Sequence, residues 1–95
     1  MAEASDNGKL SAIELGEAAL ATIEQLTGYD PEAVTGLAWD SEGEQWTVTV
    51  DVLELSRIPN TTDVMAAYAV QLDEQGILRG YRRTRRFLRG ETDGG

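Results

Sequence analysis

Residues 35–52 read TGLAWDSEGEQWTVTVDV, and this stretch decides the fold because it contains a β-hairpin. From residue 46 onwards apolar and polar residues alternate, as they do in a strand with one buried face. Residues 40–44 supply a turn with a glycine available for positive φ, and a first strand precedes it at about residues 34–39. Pairing the two tryptophans across the hairpin predicts one apolar core face made of Leu37, Trp39, Trp46, Val48, Val50 and Val52.

A second hairpin follows. Residues 54–63, ELSRIPNTTD, break the alternation with a proline and a run of turn-forming residues, so they predict a connection. A third strand is predicted at about residues 64–72, and a fourth at about residues 77–85. Aligning these two strands sets Tyr68 opposite Tyr81, which is a favourable aromatic cross-strand pair.

An amphipathic helix precedes both hairpins. Ser11 is a good N-cap, Glu14 completes a capping box with it, and Gly28 is a suitable C-terminal stop. Residues 30–32 are predicted to form a turn into the first strand. The helical period predicts an inner face made of Ala12, Gly16, Ala19, Ile23 and Leu26, with Leu15 and Leu20 beside it.

These elements predict an α+β domain in the order α-β-β-β-β, with one N-terminal helix packed on a four-stranded antiparallel sheet. The domain is expected to span residues 10–89, between a disordered acidic tail at 1–9 and a disordered tail at 90–95. A single helix covers one face of the sheet. The other face is expected to be open to solvent or to a partner, and it carries Thr47, Thr49, Asp51 and Leu53.

Composition argues against catalysis. The chain has no histidine and no cysteine, so it lacks the commonest general base, the commonest metal ligand and any thiolate. Its carboxylates show no catalytic or metal-binding spacing, and we expect no catalytic residue, no metal and no cofactor. Neither a secretory leader nor a run of about 20 apolar residues is present, which predicts a cytoplasmic protein without membrane contact.

The charge is divided along the chain. The formal net charge is −9, yet residues 79–95 hold six arginines and two acids, whereas residues 1–78 hold two cations and fifteen acids. This predicts a partner-binding surface on the fourth strand, with Arg79, Arg83 and Arg85 on one face and Arg82 and Arg86 on the other. The complete predicted set is Arg79, Arg82, Arg83, Arg85, Arg86 and Arg89, together with Arg57 and Asp63 in the connection.

Three interpretations of these arginines stay open. They can pair internally with carboxylates such as Asp51, Glu54 and Asp63, or they can bind an acidic protein surface. They can also bind nucleic acid, since arginine interleaved with aromatic residues is typical of such surfaces, although the acidic remainder of the chain would repel a polyanion. Acidic and basic poles on one molecule also permit self-association.

Four segments occur in a fixed order along the chain. A leading helix ends in LTG at residues 26–28, and it is followed by WTVTVDVLEL, RIPNTTDVMAAYAVQLDEQGIL and GYRRTRRFLRG at residues 46–55, 57–78 and 80–90. Their combination, which is more specific than any single segment, resembles the gas vesicle protein O (GvpO) family over about residues 10–90.

The resemblance implies a non-catalytic accessory protein of gas vesicle formation, found in the cytoplasm or on the vesicle, the gas-filled shell that gives cells buoyancy. Members of this family act in vesicle assembly or in expression of the vesicle genes. We therefore expect protein contacts with other gas vesicle proteins, either shell or accessory. The alternative is a nucleic-acid-binding regulator of gas vesicle gene expression that uses the arginine cluster.

Overall fold

The computed structural model describes residues 8–91 and has the predicted α+β architecture. The strands form one antiparallel sheet in which spatial order follows chain order, so the first and fourth strands are its edges. The elements are α1 (Ala12–Thr27), β1 (Asp30–Asp40), β2 (Gln45–Leu55), a short 3-10 turn (Asn60–Thr62), β3 (Val64–Leu72) and β4 (Leu78–Leu88). Within these described residues no helix is long and apolar enough to span a bilayer. Most of the two predicted tails lies outside them.

Both predicted ends of α1 are confirmed. The Ser11 hydroxyl accepts from the Glu14 amide, and the Glu14 carboxylate accepts from the Ser11 amide, which completes the capping box. Gly28 ends the helix in the left-handed conformation at φ 75°. The predicted inner face is partly wrong, because Ala12 and Leu26 are exposed. Both lie in terminal turns of a helix whose central turns make the contact with the sheet.

The core lies between α1 and the two central strands. Each buried valine or leucine there contributes about 1.5–3 kcal/mol relative to an exposed one. The buried cluster consists of Leu15, Ala19 and Ile23 from α1, Val48, Val50 and Val52 from β2, and Ala66, Tyr68, Val70 and Leu72 from β3.

Two residues predicted to be core are not. Leu37 and Trp39 are 36% and 42% exposed, because they belong to the edge strand β1 and the single helix lies mainly over the central strands. Trp39 still pairs with Trp46 as predicted, with ring centroids 5.3 Å apart in an edge-to-face arrangement.

The strand β1 is longer than predicted. Residues 30–32 are its first residues rather than a turn. Pro31 is tolerated there because β1 is an edge strand, where a missing amide costs no ladder hydrogen bond. Register shifts make Glu32 and Thr35 extra residues that have no direct partner on β2, which identifies both as bulges.

Bulges also overturn the predicted alternation of the arginines. The pairing of β4 with β3 skips Arg79 and Thr84, and the Thr84 hydroxyl donates to the Ala67 carbonyl at 3.1 Å. Each extra residue reverses the inside–outside order that follows it. Arg83 and Arg86 therefore share the face covered by α1, called here the helix face, whereas Arg82 lies with Arg85 on the opposite, open face.

The same bulges change the aromatic pairing. Tyr68 lies opposite Arg83, and Tyr81 lies opposite Val70, so the predicted direct pairing of the tyrosines is wrong. Their rings are nevertheless neighbours, with centroids 6.2 Å apart. The diagonal contact keeps the aromatic interaction that the sequence predicts.

Two glycines with positive φ provide a test of local packing. A Cβ on Gly76 (φ 84°) would lie 2.5 Å from Leu10 Cδ1, whereas a Cβ on Gly28 (φ 75°) would meet nothing within 4 Å. We expect Gly28→Ala to lower the free energy of unfolding by about 1 kcal/mol, the cost of a left-handed non-glycine residue. Gly76→Ala should cost more, because Leu10 must also move. Urea unfolding of both variants measures the difference, and equal losses would contradict this packing.

Candidate functional site

At least three of the six arginines at residues 79–89 are paired inside the molecule. Arg83, Arg86 and Arg89 form ion pairs with carboxylates of other elements. The predicted binding set is therefore divided between residues that support the fold and residues available at the surface.

Glu54 is the partner of two of these arginines. Its side chain is 3% exposed, and it is an extra residue in the pairing of β2 with β3. Arg83 Nη1 donates to Glu54 Oε2 at 2.9 Å, and Arg86 Nε donates to Oε1 at 3.0 Å. The two arginines reach one carboxylate because the Thr84 bulge turns both to the same face. A buried carboxylate is thus neutralised by two partly hydrated guanidinium groups.

Arg89 joins three segments of the chain. Its Nη1 and Nη2 donate to the two carboxylate oxygens of Glu32 at 3.0 and 2.7 Å, and its Nε donates to Asp63 Oδ2 at 2.9 Å. The Arg89 amide also donates to the Asp63 carbonyl at 2.9 Å. Glu32, Asp63 and Arg89, called here the Arg89 clasp, connect edge strand β1 to the start of β3 and the end of β4.

The Arg89 clasp also contains a buried carboxylate. Asp63 is 4% exposed, and its Oδ1 accepts from the Arg57 amide at 2.7 Å. This backbone hydrogen bond, helped by Arg89, lowers the pKa of Asp63 despite its burial. The hydrogen bonds from Arg89 likewise lower the pKa of Glu32, and both carboxylates raise the pKa of Arg89. All three groups are therefore held in their charged forms.

The open face is more enclosed than predicted. Thr47, Thr49, Asp51 and Leu53 do lie on it, but they are half-buried, and Met65, Ala67 and Ala69 beside them are buried although no helix of residues 8–91 covers them. The Arg89 clasp draws the two sheet edges together, so the face becomes a trough with a cavity of about 400 Å³. Burial in this trough raises the pKa of Asp51, and nearby Arg85 opposes that shift.

The other predicted residues have different surroundings. Arg79 Nη1 donates to the Gly43 carbonyl at 2.9 Å, and the Arg85 guanidinium lies 4.5 Å from the centroid of the Phe87 ring. Arg57 and Arg82 are exposed, and no carboxylate in residues 8–91 lies within ion-pair distance of either. The structure therefore brings Arg83 together with Arg86, and Asp63 with Arg89, but it does not gather the eight predicted residues into one patch.

Sequence reasoning missed Glu32. It lies 57 positions from Arg89, and its own neighbourhood predicts a turn rather than a strand. No local pattern could reveal the contact, because it depends on the curvature of the whole sheet. In the part of the chain that the structure describes, no three acidic side chains are grouped closely enough to hold a metal ion.

Comparisons with known proteins agree on one family. The profile of the family described as gas vesicle synthesis protein GvpO matches residues 1–93. Gas vesicle protein O of a Streptomyces species is 45% identical over 75 residues, which cover 79% of this chain and 57% of that protein. Gas vesicle protein O of Haloferax mediterranei is 29% identical over 84 residues, 85% of this chain and 59% of that protein.

Gas vesicle protein O1 of Halobacterium salinarum is also similar, at 35% identity over 52 residues, which cover 55% of this chain and 44% of that protein. The chain thus spans roughly half the length of the curated relatives that it matches. No solved structure matches it.

The Arg89 clasp predicts a pH-dependent stability. Because folding lowers the pKa of Asp63, its ionised carboxylate stabilises the fold above the unfolded pKa of about 4, and this contribution is lost as pH falls through the lower folded value. Asp63→Asn should therefore lower the free energy of unfolding near pH 7, and the difference from the unchanged protein should become smaller in acid. Urea unfolding across pH measures this. Glu42→Gln, at an exposed acid of the hairpin turn, is the control, and a pH-independent deficit for Asp63→Asn would contradict the assignment.

The pairing of Glu54 with two arginines predicts that stability lost by removing the arginines can be recovered by removing the Glu54 charge. Arg83→Ser with Arg86→Ser leaves the buried carboxylate of Glu54 unpaired and should lower the free energy of unfolding by about 2–3 kcal/mol. This is less than the loss expected for a fully buried ion pair, because both guanidinium groups are partly hydrated. Adding Glu54→Leu removes that charge and should recover about half of the loss or more. Arg57→Ser with Arg82→Ser removes two exposed arginines and should change stability by about 0.5 kcal/mol or less. Failure of Glu54→Leu to recover stability would contradict the pairing.

Proposed function

The chain belongs to the GvpO family of gas vesicle synthesis proteins, and we propose that it is a non-catalytic accessory protein of gas vesicle assembly. In this proposal it acts through contacts with other gas vesicle proteins, either shell subunits or accessory proteins, in the cytoplasm and at the growing vesicle. The family supports a role in vesicle synthesis, and the distribution of charge supports contact as the means.

One observation carries this proposal. The chain has seventeen acids and eight cations, so every cation has carboxylates to choose from. Arg57 and Arg82 are nevertheless exposed, with no carboxylate of residues 8–91 within ion-pair distance. A planar guanidinium that is not used internally can form a bidentate contact with a carboxylate of a partner.

The proposed contact surface is smaller than the predicted arginine set. Arg83, Arg86 and Arg89 are occupied by Glu54 and by the Arg89 clasp, and changing them would disturb the fold before it disturbed a partner. Arg57 and Arg82 can be changed without breaking an ion pair among the described residues. They are therefore the positions at which contact and stability can be separated.

The internal pairing of Arg83, Arg86 and Arg89 also disfavours nucleic acid as the partner. Three guanidinium groups that would have been available for phosphates are bound to carboxylates, and the remainder of the chain is strongly acidic. Affinity for a polyanion depends on the number of phosphates that cations neutralise. Protein contact is therefore the function that we favour.

A pull-down with the other gas vesicle proteins tests the proposal. Arg57→Ser with Arg82→Ser should reduce retention of the partner at low salt, and high salt should reduce retention by the unchanged protein as well, because exposed charges are screened. The control is Ala21→Glu with Gln25→Glu, which changes the net charge by the same amount on the exposed side of α1.

Two results would contradict the proposal. Equal retention by the double arginine variant and the unchanged protein would remove Arg57 and Arg82 from the contact. Retention of nucleic acid in place of a vesicle protein, with affinity falling steeply as salt rises, would support the regulatory alternative.

A further inference from the structure

The two edge strands of the sheet carry opposite charge. The strand β1 contains Asp30, Glu32 and Asp40 and no cation, and the turn that follows adds Glu42 and Glu44. The strand β4 contains five arginines and no acid. Each edge has backbone amide and carbonyl groups that no strand of residues 8–91 pairs, which makes it a template for a further strand.

Bulges limit the part of each edge that can accept a strand. The regular part of β1 is residues 36–40, because the bulges at Glu32 and Thr35 interrupt the rest. In β4 the regular parts are residues 80–83 and 85–88, and the second of these lies at the end where Arg89 binds Glu32. Bulged edges resist pairing. Residues 36–40 and 80–83 are therefore the segments best suited to mutual contact.

Exposed apolar side chains lie at these same segments. Trp39 is 42% exposed on β1 and Tyr81 is 41% exposed on β4, and both point to the helix face. An apolar groove of about 390 Å³ continues from β1 towards α1, and Ile13 on its rim is 75% exposed. An exposed strand edge flanked by apolar side chains is energetically favourable to cover.

We propose that residues 80–83 of one copy pair antiparallel with residues 36–40 of a second copy, which continues the sheet from molecule to molecule. A register with Trp39 opposite Tyr81 of the second copy keeps both rings on the helix side. On the open side the same register sets Ala38 opposite Arg82 of the second copy. Arg82 then reaches the carboxylate of Asp40 diagonally, at a distance that a long side chain spans.

Charge selects this pairing over the symmetric ones. Two β1 edges in antiparallel contact would bring together only acids, namely Asp40 and the turn residues Glu42 and Glu44 of both copies, and two β4 edges would bring together only arginines. Like charges directly opposite each other are destabilising across strands, whereas opposite charges stabilise. The head-to-tail contact is heterologous, so it leaves a free β1 at one end and a free β4 at the other and can extend. It uses Arg82, as the proposed function does, but it is measured on the purified chain without any other vesicle protein, so its failure can be distinguished from failure of the proposed function.

Sedimentation velocity of the purified chain provides the first test. The mean mass should rise with protein concentration into the millimolar range, and association should be weaker at about 500 mM salt than at about 20 mM salt, since screening reduces the attraction between the edges. A monomer at every concentration and at both salt levels would overturn the proposal.

Two single variants locate the contact. Ala38→Arg sets two cations opposite each other, and Arg82→Glu sets an acid beside Asp40, so each should weaken association by about fivefold to tenfold. Ala38→Glu should strengthen it, because an acid then lies directly opposite Arg82. Ala21→Arg, at an exposed position of α1, is the matched control and should leave association unchanged. Association of either weakened variant at the level of the unchanged protein would overturn the proposal.

Mixing the weakened variants tests the head-to-tail geometry. The Ala38→Arg chain retains an unchanged β4 and the Arg82→Glu chain retains an unchanged β1, so these two edges form an intact contact in an equimolar mixture. The two changed edges also face each other with their charges exchanged, so the mixture should associate more strongly than either variant alone. Carrying both substitutions in one chain should restore association of that chain with itself, because the charges are exchanged. Failure of the mixture to associate more strongly than either variant alone would exclude this pairing.

Discussion

The Arg89 clasp is the interaction on which the shape of this small domain depends. One guanidinium forms a two-oxygen contact with Glu32 on the first strand and a third hydrogen bond with Asp63 at the start of the third strand. A flat four-stranded sheet would hold its two edges about 14 Å apart, which is too far for one side chain to bridge. The sheet must therefore curl at this end, and the curl explains why Ala67 is buried on a face that no helix in the described part of the chain covers.

Bulges determine which face of the sheet many side chains occupy and which parts of its edges stay regular. Each one reverses the alternation of side chains along its strand, and the bulges at Thr84 and Glu54 together direct two arginines to one buried carboxylate. The bulges in β1 and β4 also interrupt most of the exposed edges, which is a common protection against uncontrolled strand pairing. Both edges keep a regular segment at the end of the sheet that carries Trp39 and Tyr81, whereas at the end of the Arg89 clasp only β4 has one, residues 85–88. The same irregularities thus stabilise the interior and restrict where another chain can be added.

Our proposal that this protein acts by contact rather than by chemistry rests on its membership of the GvpO family and on its charge distribution. An acidic body is strongly hydrated and resists non-specific aggregation, which suits the assembly role that we propose. Three arginines are committed to the fold, whereas Arg57 and Arg82 are exposed with no carboxylate of the described residues in reach. Positive charge in this molecule therefore has a structural part and a part that we assign to partners.

The sequence by itself determined the elements and their order. The capping box at Ser11, the stop at Gly28 and the tryptophan pairing across the first hairpin are contacts between residues close in the chain, so their patterns are visible locally. Tertiary structure alone decided which strands are edges, where bulges fall and which carboxylate each arginine meets. Those features depend on the strand lying opposite or on residues as distant as Glu32 and Arg89, and a period-two pattern carries no information about an inserted residue or about the curvature of the sheet.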